Sequence, residues 1–115
     1  IVTGDIRDAA FLKSAMEDVD AIIHLAAIPD EDDFYTKLMP INIEGTYTLL
    51  ETARRCGVKK VVLASTCQIA FGYPNSTFVT TDMAVRPVNL YSCTKIFGEA
   101  VGRYYSDKFG MSVIC

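Results

Sequence analysis

The sequence predicts an α/β fold of the doubly wound, parallel-sheet class. Two observations carry this. Short, nearly continuous apolar runs alternate with amphipathic helical patterns along the whole chain. A helix-length segment separates each pair of runs, as parallel pairing with right-handed crossovers requires.

The elements follow in order. Asp8 is a good helix N-cap, and Phe11, Leu12, Ala15, Met16 and Val19 mark the apolar side of the first helix. "DAIIHLAAI", Asp20 to Ile28, then predicts a strand buried on both faces. A helical region runs from about Asp32 to Cys56, with an interruption expected near Pro40 and a stop at Gly57. "KKVVLAS", Lys59 to Ser65, predicts a second buried strand. The long polar stretch Thr66 to Val88, punctuated by Gly72, Pro74 and Pro87, exceeds a simple connector, and such loops are often functional. Asn89 caps a further helix, with Lys108 in its last turn and Gly110 ending it. "MSVIC", Met111 to Cys115, begins a third strand.

Composition limits the function. The chain has 115 residues, 50% of them hydrophobic, and a net charge of −3, which is the balance of one folded domain. No basic block suggests a nucleic-acid partner, and "DEDD" at Asp30 to Asp33 reads as a solvated helix start. No apolar run approaches the ~18 residues that span a bilayer. "IVTGDIRD" has no signal-peptide layout, so a cytoplasmic protein is expected. Cys56, Cys67, Cys93 and Cys115 show no metal-ligand spacing and are read as buried free thiols in a reducing compartment. The chain has no internal repeat. Its strand stubs at both ends read as cuts from a longer protein.

The most chemical stretch is "NLYSCTK", Asn89 to Lys95. Tyr91 and Lys95 lie four apart where a helix begins, so they share a face. An ammonium ~5 Å from a phenol favours the phenolate by about 3 kcal/mol at an effective dielectric of ~20. A tyrosine so tuned exchanges a proton with a substrate hydroxyl or carbonyl. As an isolated i,i+4 pair on a helix the arrangement is common. Its position after a buried parallel strand is not, because ligands of such sheets bind beyond the strands' carboxyl ends. Ser65 and Thr66 end that strand, and a hydroxyl there could hold the same substrate oxygen.

"YSCTK" resembles the YxxxK motif of short-chain dehydrogenases/reductases. "GDIRD" (Gly4 to Asp8), "HLAAI" (His24 to Ile28), "NIEGT" (Asn42 to Thr46) and "LAST" (Leu63 to Thr66) are, in this order, similar to motifs of the extended branch, the NAD-dependent epimerase/dehydratase family. The resemblance implies a Rossmann-like NAD(P)-binding domain and a set of roles. Asp5 and Ile6 would touch the adenine. Leu25, Ala26 and Ala27 would line the dinucleotide, and Asn42 would brace them. Thr66, Tyr91 and Lys95 would be catalytic, with Ser65 the other candidate for the hydroxyl and Lys95 also on the nicotinamide ribose. His24 is given no role.

Within the family, "LYSCTKIFGEAVGRYYSDKFG" and "AAIPDEDDF" resemble uronate dehydrogenases more than sugar-nucleotide epimerases. In uronate dehydrogenases two polar residues after the Ser/Thr bind the sugar acid, and Cys67 and Gln68 stand there. The glycine-rich phosphate fingerprint does not occur in the chain. The expectation is therefore that residues 1–115 are the central portion of one dinucleotide-binding domain, without its glycine-rich start and without the substrate domain. NAD is the implied cofactor, with NADP open. Dehydrogenase, epimerase and dehydratase chemistry on a sugar, sugar acid or nucleotide sugar all remain, as do a non-catalytic dinucleotide sensor and a ligand-free α/β domain. Subunit contact through the helices Ile41–Cys56 and Asn89–Phe109 is implied too, giving a homodimer.

Overall fold

The computed structural model describes residues 1–115. In chain order the elements are α1 (Ala9–Ala15), β1 (Ala21–His24), a π-helical segment (Phe34–Gly45), α2 (Thr46–Arg55), β2 (Lys60–Leu63), a 3₁₀ turn (Cys67–Ala70), α3 (Leu90–Phe109) and β3 (Ser112–Ile114). The strands form one parallel sheet in the order β1-β2-β3, with Ile22 opposite Val61 and Val61 opposite Val113.

The predicted caps are in place. Asp8 accepts from the amides of Ala10 and Phe11, and Asn89 accepts from that of Ser92. Gly57 and Gly110 close α2 and α3 in the left-handed region that favours glycine. The first helix stops sooner than expected, before Val19, because Asp18 takes φ 57° and turns the chain toward β1.

Pro40 does not interrupt its helix. The turn around Asp33 is widened: the Asp33 carbonyl accepts from the amides of both Lys37 and Leu38, at 3.1 Å each. π-Winding carries the helix through Pro40, which has no amide hydrogen to donate, and α-geometry resumes at Thr46.

The two predicted strands are not covered on both faces. Leu12, Met16, Leu49, Leu50, Ala53 and Tyr105 pack with Val61 and Leu63 on one side of the sheet. On the other side Ile23, Val62 and Ile114 are 70%, 40% and 61% exposed. The cause is topological. Three parallel strands added in one direction by right-handed crossovers place every connecting helix on the same side. Within these residues the strand order never reverses, so nothing crosses to the other face. The cysteines depart from expectation as well: all four are free thiols, but all four are exposed. Cys56 lies at the end of α2, Cys67 on the loop after β2, Cys93 on the outer side of α3 and Cys115 after β3.

Gly102 lets α3 lie close on the sheet. A Cβ there would stand 2.9 Å from Val113 Cγ1 and 3.3 Å from Leu63 Cδ1. Its spacing from Gly98 suggests a seat for another helix, but Gly102 faces the strands. The loop after β2 folds back on itself through Arg86 N–H to Ile69 O (2.7 Å), Gly72 N–H to Arg86 O (2.9 Å) and Tyr73 O–H to Ala84 O (2.8 Å).

Candidate functional site

The carboxyl ends of β1 and β2 and the start of α3 converge. Several hydrogen bonds anchor α3 to its neighbours. Its cap residue Asn89 donates through Nδ2 to Gln68 Oε1 at 2.6 Å, tying helix to loop. Glu31, from the acidic run after β1, accepts from the Tyr91 amide at 3.2 Å, placing a carboxylate at the positive end of the helix. Lys95 Nζ donates to the Ala64 carbonyl at 3.0 Å.

Tyr91 is buried, and the Lys95 ammonium lies 5.7 Å from its ring centre. The predicted shared face is therefore real. Burial lowers the Lys95 pKa from its ordinary value. His24 is also buried and meets Thr46 Oγ1 at 3.2 Å. Loss of solvent first, and the Lys95 charge second, push its pKa down to about 4, so it is neutral at pH 7.

Ser65 and Thr66 separate clearly. Ser65 Oγ donates to Glu99 Oε1 on α3. Thr66 Oγ1 accepts from the Gln68 amide at 3.3 Å and caps the 3₁₀ turn, which leaves its hydroxyl proton free to donate. Thr66 and Cys67 border a cavity of about 770 Å³ whose other walls include Ile69, Phe71, Tyr73 and Val88. Gln68 is turned instead toward Asn89.

A second cleft, of about 540 Å³, brings together Asp5, Ile6, Ala26 and Ala27 with Ile28 and Ile41. Leu25 is not part of its lining and is 70% exposed. Gly45 keeps Ile6 in place, since a Cβ there would meet Ile6 Cγ2 at 2.6 Å. Asp5 forms an ion pair with Arg7, whose hydrogen bonds hold the Asp5 pKa down at about 2. Asn42 is buried and holds the loop above the cleft. Its Oδ1 accepts from Ile28 N–H at 2.8 Å, and its Nδ2 donates to Ile28 O at 3.1 Å and to Thr94 Oγ1 at 3.0 Å.

The second cleft is mostly apolar with the Asp5 carboxylate among its lining residues, and Lys95, with one hydrogen bond made, has two N–H donors left for a ligand. Sequence reading missed the roles of Glu31 and Glu99. The one sequence signal at Glu99, its spacing one turn beyond Lys95, points to an ion pair between those two and not to Ser65.

Comparison with known proteins identifies the family. The chain belongs to the NAD dependent epimerase/dehydratase family, whose match covers residues 1–115. It is 35% identical to the L-arabinose 1-dehydrogenase (NAD(P)(+)) of Haloferax volcanii, over 96% of this chain and 48% of that protein. It is 37% identical to the uronate dehydrogenase of Agrobacterium fabrum, over 92% of this chain and 40% of that protein. Among solved structures, a variant of uronate dehydrogenase from Agrobacterium tumefaciens complexed with NAD superposes with a TM-score of 0.91 at 34% identity, covering 97% of this chain and 42% of that one. The chain thus spans less than half the length of these relatives.

Proposed function

We propose that residues 1–115 are the central part of a longer NAD(P)-dependent oxidoreductase that acts on a carbinol of a sugar or sugar acid. One observation carries the proposal: buried Tyr91 lies one turn from Lys95, whose ammonium is fixed to the end of β2 beside Thr66. Thr66 donates a hydrogen bond through its free hydroxyl to the substrate oxygen. Tyr91 takes the proton of that substrate hydroxyl as the carbonyl forms. Lys95 favours that transfer by its positive charge and holds the nicotinamide ribose. Asp5, Ile6, Ala26 and Ala27 receive the adenine end, with Leu25 at its margin and Asn42 bracing the loop. When bound, NAD or NADP supplies the hydride acceptor. Cys67, on the wall of the larger cavity, contributes to selectivity, and Gln68 acts through its hydrogen bond with Asn89. The sugar and sugar-acid dehydrogenases among the relatives support this substrate class.

The proposal extends to assembly and location. Tyr47 on α2 and Tyr104 on α3 are each about half exposed, and with the neighbouring Phe97 they offer an apolar helix pair to a second subunit, giving a homodimer. Four unpaired cysteines accord with a reducing cytoplasm.

The test is NADH formation by the complete enzyme against a panel of aldoses and hexuronic acids, for the unmodified protein and for Tyr91→Phe. The expected result is turnover on at least one sugar, lowered about 10²- to 10⁴-fold by the substitution. Near-normal turnover in Tyr91→Phe would overturn the assignment. NADH binding without any turnover would favour a dinucleotide sensor.

A further inference from the structure

Lys95 and Glu99 stand four apart on α3 with opposite charges, the spacing at which a helix ordinarily pairs them. They are not paired. Each turns instead to the end of β2, and they take the two consecutive residues that follow it. Lys95 Nζ donates to the Ala64 carbonyl at 3.0 Å, and one turn later Glu99 Oε1 accepts from Ser65 Oγ. The Ala64 amide meanwhile donates to His24 O at 3.1 Å, so the strand end is held from the neighbouring strand as well. The next residue is Thr66, whose extended backbone (φ −152°) starts the loop beside the larger cavity.

We propose that Glu99 is a positioning residue: through Ser65 it fixes the end of β2, and so sets where the Thr66 hydroxyl stands relative to Tyr91. The proposal rests on the reading of Thr66, Tyr91 and Lys95 as the reacting set. The two attachments divide the work. Lys95 restrains a backbone carbonyl and carries charge that the chemistry uses. Glu99 restrains a side chain and touches no reactant. A hydrogen bond to a carboxylate is stronger than one between neutral groups, which suits a restraint on a residue at the start of a long loop. With only the Ala64 bond left, the Ser65–Thr66 link could rotate, and the hydroxyl would sample positions away from the substrate oxygen. Misplacement by about 1 Å is enough to lower turnover substantially.

The test uses the complete enzyme and the variants Glu99→Ala, Glu99→Gln, Ser65→Ala and the double alanine variant. The first readout is hydrogen exchange, which needs no turnover. Exchange at the Ala64 and Gln68 amides should rise about tenfold or more in Glu99→Ala, with Val61 and Val62 unchanged, as expected for local opening. The second readout is kinetic. Glu99→Ala and Ser65→Ala should each lower kcat about tenfold or more, with KM and NADH affinity within about twofold of the unmodified enzyme. Glu99→Gln should restore most of the loss, because the amide oxygen accepts the same bond. The double variant should be no worse than either single one, the signature of one shared interaction. Unchanged exchange in Glu99→Ala overturns the proposal. So does additive loss in the double variant, or a fall in kcat that only follows a fall in melting temperature. If the unmodified enzyme turns over no sugar, the functional reading fails while the exchange result still decides whether Glu99 fixes the strand end.

Discussion

Lys95 is held by Ala64. Its ammonium donates to that carbonyl at 3.0 Å while standing 5.7 Å from the centre of the Tyr91 ring. The end of β2 therefore sets the position of the charge beside the Tyr91 ring. One of three N–H donors is engaged, and two remain for a ligand. Lys95→Ala should lower both kcat and NADH affinity, each about tenfold or more, whereas Tyr91→Phe should lower kcat alone. Steady-state kinetics paired with a fluorescence titration of NADH separates the two patterns. Equal loss of NADH affinity in both variants would contradict the division of roles.

Asn42 makes three hydrogen bonds while almost fully buried. Asn42→Ala leaves both backbone groups of Ile28 without their partner inside the fold. A destabilisation of about 3 kcal/mol is expected, together with weaker NADH binding if the cleft of Asp5, Ile6, Ala26 and Ala27 receives the adenine as proposed. Urea denaturation measures the first effect. A loss below about 1 kcal/mol would show that water replaces the amide without cost.

Stability should fall in acid in two stages. The folded His24 pKa is lowered from 6.5 to about 4, by burial and then by Lys95. As pH drops through that window the unfolded chain binds a proton that the folded chain does not, and about 3 kcal/mol is lost. The Glu51 pKa is lowered from 4.5 to about 2, first by its hydrogen bond with Arg54, then by those with Arg55 and Tyr105. Its contribution is present above pH 4.5 and is lost toward about pH 2, in the same direction. Denaturation midpoints measured across this range should show both stages. His24→Asn should remove the upper one and Glu51→Gln the lower one.

The two glycines of α3 should respond oppositely to alanine. At Gly98 an added Cβ meets nothing within 4 Å, so Gly98→Ala should stabilise by up to about 1 kcal/mol through helix propensity. At Gly102 the Cβ would press on Val113 and Leu63, so Gly102→Ala should cost about 1–3 kcal/mol. Thermal unfolding of the pair checks this. Equal effects would mean that α3 does not approach the sheet as closely as described.

If Tyr47 and Tyr104 lie in a subunit contact, Tyr47→Glu and Tyr104→Glu should convert a dimer of the complete enzyme to monomer. Light scattering at micromolar concentration reads the mass. A monomer for the unmodified protein would refute the dimer.

Local signals made most of the fold legible. The caps at Asp8 and Asn89 and the stops at Gly57 and Gly110 each act within about one turn, and sequence shows them directly. Tyr91 and Lys95 were legible for the same reason. The rest depends on what is distant. Val62 is apolar whether or not these residues cover it, so the sequence does not show which face of the sheet the helices of residues 1–115 take. Ser65 and Glu99 are 34 residues apart, and the spacing of Glu99 from Lys95 suggests a bond between those two instead. Pro40 signals a break in an α-helix, and only the actual winding reveals the wider turn that admits it.

That wider turn sets a rule for insertions and deletions. In an α-helix, removing one residue rotates everything after it by about 100°, and in the wider π-helical turn by a somewhat smaller angle. Asn42 must face Ile28 and Thr94 at once, so losing or gaining one residue between Phe34 and Ile41 would swing its amide away from both. The stretch from Ser76 to Thr80, in the loop after β2, has no such phase to keep. Two segments of one chain thus tolerate changes in length very differently, and the phase-locked one is the helix that carries Asn42.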